Sequence, residues 1–126
     1  MIKRIANTVS VALLIALFIF PCRFLTRSTD GINARAETAL DAVLHDDWDT
    51  ALEEVQLMHD QLDRDRSILH LFLHHEAVEG LEAAVGGCLR LVQVQDKPQS
   101  VLELEFIITR AEHLKSIENF AFSVLI

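Results

Sequence analysis

Between Arg4 and Arg23 the chain has no charge at all: eighteen positions pass without Asp, Glu, Lys or Arg. Cysteine is almost absent too, with only Cys22 and Cys88. Two such residues, one beside the uncharged run and one in a helical pattern, make no disulfide framework. Cys88 is expected to pack as a small apolar residue. No serine stands in a Gly-x-Ser-x-Gly elbow, and no glycine-rich phosphate loop is present. Low-complexity tracts, long linkers and credible strand-type alternation are missing as well. These absences exclude a cysteine-stapled scaffold, an elbow-type hydrolase and a phosphate-loop enzyme. They leave a helical chain with one unusual end.

The uncharged run, Ile5 to Cys22, would rise about 27 Å as a helix, just enough for a hydrocarbon core. Lys3 and Arg4 flank it on the short side. A cleaved signal peptide shares the basic start and apolar middle, but needs small residues at its cleavage site. Phe20-Pro21-Cys22-Arg23-Phe24 is bulky and charged there, and Ala34-Arg35-Ala36 lies too far downstream. Phe20 and Pro21 also fit poorly with lipoprotein processing at Cys22. A soluble domain of this size has no need of a helix apolar on every side. The expected reading is an uncleaved signal-anchor over residues 1–26, with a signal peptide as the alternative. Basic residues on both sides, Lys3 and Arg4 against Arg23, Arg27 and Arg35, leave the positive-inside rule undecided. The very short N-terminus favours a single-pass protein of the cell membrane whose following domain is extracytoplasmic.

All nineteen acidic residues, and eight of the eleven basic ones, fall after residue 26. This acidic second domain, residues 27–126, repels phosphate backbones, so nucleic acid is not an expected partner. It is long enough for one modest core.

Apolar residues recur at a period of 3.6 throughout this domain, which predicts an all-α architecture. A first helix is expected from Asp30 or Asn33 to His45, burying Ile32, Ala36, Ala39, Leu40 and Val43. Asp46-Asp47 forms a turn, with an acidic residue suited to cap the next helix. The second helix carries Trp48, Ala51, Leu52, Val55, Met58 and Leu62 on one face. Asp63-Arg64-Asp65-Arg66 reads as a solvated bend or a continuous exposed stretch. A long third helix is expected from Ser67 to Val94, apolar on two sides and therefore central. On it Gly80, Ala84 and Gly87 fall on one line. A closely approaching helix would offset the roughly 0.5–1 kcal/mol that mid-helix glycine costs; the alternative is a kink at Gly86-Gly87. Asp96-Lys97-Pro98 stops that helix, and Pro98 suits the first turn of a fourth. The fourth uses Val101, Leu104, Ile108, Ala111 and Leu114, and a short apolar segment, Ile117 to Ile126, follows. The predicted fold is thus an N-terminal transmembrane helix followed by a four- to five-helix antiparallel bundle of helical hairpins.

A faint internal repeat supports the hairpins. Leu44-His45-Asp46-Asp47-Trp48-Asp49-Thr50-Ala51-Leu52-Glu53 aligns with Val94-Gln95-Asp96-Lys97-Pro98-Gln99-Ser100-Val101-Leu102-Glu103 as helix end, polar turn and helix start. The placement of Trp48 and Ala51 is similar to tetratricopeptide units, but the consensus is incomplete and two copies make no array.

In order along the chain stand the anchor, a helix, Asp47-Trp48-Asp49 with Ala51, His75-Glu76 opening a central helix segment, and an apolar tail with an asparagine, Ile117-Glu118-Asn119-Phe120. This order resembles a family of small membrane-anchored bacterial proteins, common in spore-forming lineages and described as a domain of unknown function. The resemblance covers nearly the whole chain. It implies an all-helical bundle outside the cytoplasmic membrane and supplies no mechanism. The chain departs from the family in lacking a lysine-rich surface.

Histidine is the one chemistry-bearing residue type in excess: His45, His59, His70, His74, His75 and His113. His70 and His74, four apart, have a workable spacing for two metal ligands. With His75 they are the candidate metal residues. His74-His75-Glu76-Ala77-Val78-Glu79 fails as a zinc-protease helix, because Glu79 stands where the second histidine is needed. The Glu-x-x-His pairs of a di-iron bundle are also absent. The competing reading seats His75 on the buried stripe, bonded to Glu79 or a turn carbonyl, and leaves His70 and His74 in solvent. Nothing around Cys88 lowers its pKa, so no thiolate nucleophile is expected. The expectation is a non-catalytic, membrane-tethered interaction protein without a cofactor. Its partner would be an integral membrane protein or a second copy of itself. A metal- or small-ligand sensor using His70, His74 and His75 is the alternative.

Overall fold

The computed structural model describes residues 1–72 and 75–125, with the side chains of positions 18, 20–22, 25, 26, 72, 115 and 117–125 left aside. Four helices account for these residues: α1 (Ile2–Leu44), α2 (Trp48–Phe72), α3 (His75–Gln93) and α4 (Lys97–Leu125). Each packs on its neighbours in the order α1–α2–α3–α4 and back to α1, and among the described residues the diagonal pairs do not touch. The arrangement is an antiparallel up-and-down four-helix bundle, and no strand occurs among the described residues.

The two hairpin turns are built alike. Residue Asp46 (φ 59) and residue Gln95 (φ 56) are the two non-glycine residues in the left-handed region. In the first turn Asp46 N–H donates to Val43 O at 3.1 Å and Asp47 N–H to Ala42 O at 2.8 Å. In the second, Gln95 N–H donates to Val92 O at 3.1 Å and Asp96 N–H to Leu91 O at 3.0 Å. Both are Schellman closures, which satisfy carbonyls that a helix end leaves open. The next residue then starts the following helix. The Asp47 carboxylate accepts from Thr50 N–H, and that of Asp96 from Gln99 N–H, each at 3.3 Å. An aspartate that closes one helix and caps the next fixes a reversal of direction in three residues. Lys97 ties the two turns together, donating to Leu44 O at 3.4 Å and Asp46 Oδ1 at 3.2 Å.

These turns set the register of the internal repeat at forty-nine residues, one fewer than the sequence alignment suggests, because Asp46 superposes on Gln95 and Asp47 on Asp96. The core follows that register. Ile32, Ala36, Ala39 and Val43 of α1 correspond to Leu81, Val85, Cys88 and Val92 of α3, and all are buried. Ala51, Val55, Met58 and Leu62 of α2 correspond to Ser100, Leu104, Ile107 and Ala111 of α4, again all buried. The start of α3 at His75 falls opposite position 26 of α1. Everything before that point is an extension without a counterpart.

Several expected boundaries are corrected. The segment before Arg23 and the first bundle helix are one helix of 43 residues, so no helix starts at Asp30 or Asn33. Asp63-Arg64-Asp65-Arg66 is no bend, because α2 runs through it to Phe72. The long third helix divides instead near 73–74, and α3 occupies one corner of the bundle rather than its centre. The apolar C-terminal segment is a continuation of α4. Among the described residues no helix is long and apolar enough to cross a membrane. The uncharged run of α1 includes positions 18 and 20–22, whose side chains lie outside that description.

The glycines are redistributed as well. A Cβ at Gly80, Gly86 or Gly87 would meet nothing within 4 Å, so no helix approaches closely along that line. Nor does Gly86-Gly87 break α3, which continues to Gln93. Close approach occurs at Gly31 instead, where a Cβ would lie 3.0 Å from Gln61 Nε2. Gly86→Ala is expected to raise stability by about 0.5–1 kcal/mol, the helix-propensity gain with no steric cost. Gly31→Ala is expected to forfeit that gain by displacing the Gln61 amide. Urea denaturation followed by circular dichroism separates the two; equal stabilisation by both would contradict this packing.

Candidate functional site

Two polar clusters interrupt the apolar core. The first lies between α1 and α2. Ser28 and Asp65 are both buried, and Ser28 Oγ donates to Asp65 Oδ2 at 3.0 Å. One turn along α2, Gln61 Nε2 donates to Ser28 O at 3.0 Å, passing over the bare Cα of Gly31. Arg64 Nε stands 3.7 Å from the other Asp65 oxygen. Gly31 and Gln61 also open a shallow groove with Ala34, Arg35, Thr38 and Glu54, across which Arg35 Nη1 meets Glu54 Oε2 at 3.3 Å. The equivalent positions in the second hairpin are Ala77 and Leu114, so this polar pair belongs to the first hairpin alone. It was not anticipated. A signal was present, since Asp65 continues the seam spacing of Met58, Leu62 and Leu69.

The second cluster joins α2 to α3 beside the 73–74 connection. His70 Nδ1 and His75 Nδ1 are 2.9 Å apart, with ring centroids 4.7 Å apart and planes tilted by 50°. His75 Nε2 stands 2.7 Å from Glu79 Oε1, so this nitrogen carries the proton that the carboxylate accepts. On the other side His70 Nε2 faces Glu82 Oε1 at 3.4 Å. Both atoms are buried without a well-aligned hydrogen bond. Arg66 Nε adds a cation 3.7 Å from the same Glu82 oxygen. The chain of contacts is therefore Glu79–His75–His70–Glu82, strung across two helices.

This arrangement does part of what the sequence suggests. The expected His75–Glu79 contact is present, but on the surface: the His75 side chain is 68% exposed. His70 is the more enclosed histidine, with 18% of its side chain exposed. The expected single helix from Ser67 is parts of two, α2 ending at Phe72 and α3 beginning at His75, so one apolar face does not run through both. Ile68 and Leu71 end up exposed while Leu69 is buried. His74 lies outside the described residues, so the His70/His74 pair has no geometry to report. Tetrahedral zinc places two imidazole nitrogens roughly 3.3 Å apart, given bonds of about 2.05 Å. The His70–His75 separation is shorter and fits a shared proton better. No group of three or more His, Cys, Asp or Glu able to hold a metal is present among the described residues.

Cys88 is fully buried against α4, as a small core residue should be. Its thiol is pushed up to about 12, first by burial and then by the charge of Glu103. A thiol so raised stays protonated and is a poor nucleophile.

The geometry defines a class, an antiparallel four-helix bundle made of two like hairpins, with α1 the longest helix. Within that class the chain belongs to the family described as a domain of unknown function, DUF4363, whose model matches residues 19–124. The resemblance drawn from the ordered motifs holds at this level. No curated protein and no solved structure matches the chain.

The Ser28–Asp65 pair yields a test built on the repeat. Ser28→Ala alone removes the hydroxyl donor from a buried carboxylate and is expected to cost about 1–3 kcal/mol. The double change Ser28→Ala with Asp65→Leu copies the second hairpin and is expected to cost less than that single change. A double-mutant cycle in urea measures the coupling, and strictly additive effects would contradict it.

Proposed function

We propose that this protein is a non-catalytic, membrane-tethered helical module that presents its bundle outside the cytoplasmic membrane to an integral membrane protein or a second copy of itself. The observation that carries the reading is the exposed N-terminal half of α1. Ile5, Val9, Val11, Leu13, Leu14, Ile15 and Leu17 are all exposed. Three of them are consecutive and so point in three directions around the helix. A helix that exposes apolar side chains in several directions is suited to lipid rather than to water. Removing these seven side chains from water is worth on the order of 10 kcal/mol. The Glu79–His75–His70–Glu82 chain and the raised Cys88 thiol offer no assembled nucleophile or acid–base pair in a cavity, which favours a binding role over a reaction.

The expected outcome is that the full-length chain stays with membranes after alkaline carbonate washing, keeps the intact mass of residues 1–126, and brings down a partner or itself on crosslinking. Release into the soluble fraction as a shortened chain would overturn the tether.

The second reading, binding of a metal or small ligand, rests on the meeting of His70 and His75 at the α2–α3 end, with no third ligand beside them among the described residues. Calorimetric titration of the untagged protein with Zn²⁺ tests it. Dissociation constants tighter than roughly 10 µM that are lost in His70→Ala would support it. Absence of heat in that range would remove it.

A further inference from the structure

The tether and the bundle overlap along α1, and that overlap places one end of the bundle. The contact between Ser28 and Asp65 sets α1 and α2 side by side. Six residues further along α2 from Asp65 is Leu71, and six residues back along α1 from Ser28 is position 22. Antiparallel helices rise equally per residue, so Leu71 stands level with the last position of the uncharged run. By the same count Ile68 stands level with position 25, between Arg23 and Arg27, which are both exposed. Lys97 reaching Leu44 O sets the register of α4 against α1. It brings the last turns of α4 alongside roughly residues 16–24 of α1. A helix of only thirteen residues, Ile5 to Leu17, is about 20 Å long, too short for a hydrocarbon core of about 30 Å. Completing the span uses the positions that are already level with the α2–α3 connection.

Resting on the tether reading above, we propose that the α2–α3 end of the bundle is seated in the headgroup layer of the bilayer rather than held clear of it on a stalk. Leu71 and Ile68 then make its contact with lipid. Leu71 is 74% and Ile68 40% exposed; Val94 at 73% and Leu44 at 52% are as exposed at the opposite end, so the register of the uncharged run, and not exposure, selects this end. The occupant of that apolar edge is the lipid surface that α1 itself enters. The opposite end, with both Schellman turns and Trp48, faces away. Trp48 lies about 35 Å from Leu71 along α2.

The single tryptophan makes the test direct. Full-length protein is reconstituted into phosphatidylcholine vesicles containing about one-fifth phosphatidylglycerol, with bromine on the acyl chains near the headgroup. Flotation first reports whether the chain is in the membrane. The native Trp48 signal should be unquenched. Leu71→Trp in a Trp48→Phe background should lose at least half its emission, and Ile68→Trp in the same background provides a second reporter. Floated protein in which both new tryptophans are as unquenched as Trp48 would overturn the seating and leave the tether standing. Failure to float would overturn both.

Discussion

One helix, from Ile2 to Leu44, joins this molecule's two halves, with a single rung of its backbone ladder missing at Pro21. Its first part carries exposed apolar residues from Ile5 to Leu17. Its second part is amphipathic, with Ile32, Ala36, Ala39 and Val43 in the seam that α2 and α4 cover. A helix has only one direction, so whatever the first part enters dictates how the second is oriented. Pro21 stands between the halves as a candidate hinge; it removes one backbone bond and favours a kink, yet α1 continues through it as helix. Gly31 is the nearest glycine within the bundle, and it is pinned by the Gln61 amide passing over it.

The bundle that α1 enters is close to a duplicated object. Asp46 and Gln95 occupy the left-handed region although neither is glycine, and a cost of roughly 1–2 kcal/mol attaches to each such residue. The bundle bears that cost twice, at equivalent positions, because the following aspartate both closes the helix behind it and caps the helix ahead. Lys97 bridges the two turns and draws them to one end. Differences between the halves are then informative. Where the second hairpin has Ala77 and Leu114, the first has Ser28 and Asp65, a buried polar pair beside the point at which α1 leaves the bundle. A directional hydrogen bond there fixes the rotation of α1 against α2 more sharply than apolar contact does.

Much of this was legible in the residues. The seam of the first helix and most of the second follow from their period, except that Leu52 is exposed. In the fourth, Leu104, Ala111 and Leu114 do, while the buried Ser100 and Ile107 replace Val101 and Ile108. Both turns follow from aspartates placed between helical patterns. The pairing of the two turns was also visible, displaced by one residue because sequence similarity alone does not reveal which residue takes a positive φ. What was illegible has identifiable causes. Four consecutive charged residues suggest a break, yet a helix accepts them when one, Asp65, has a buried partner and the others face solvent. Asp30 and Asn33 look like caps only if a helix begins there, and Pro21, the breaker at the junction, suggests a new start although α1 runs through it. No proline or glycine stands between Phe72 and His75, so the sequence reads as one continuous helix there and its period places His75 on the buried side instead of the surface. The meeting of His70 with His75 depends on that reversal and follows from no spacing along a single helix.

The continuity of α1 is the claim on which the orientation of everything else depends, and a distance measurement tests it. Spin labels at Val9 and Thr38, both exposed, in protein carrying Cys22→Ser and Cys88→Ala and reconstituted in lipid nanodiscs, span twenty-nine residues of α1. A continuous helix predicts one narrow population near 44 Å, at about 1.5 Å per residue. A broad distribution, or a population well below that distance, would show a hinge between the two halves and contradict the account.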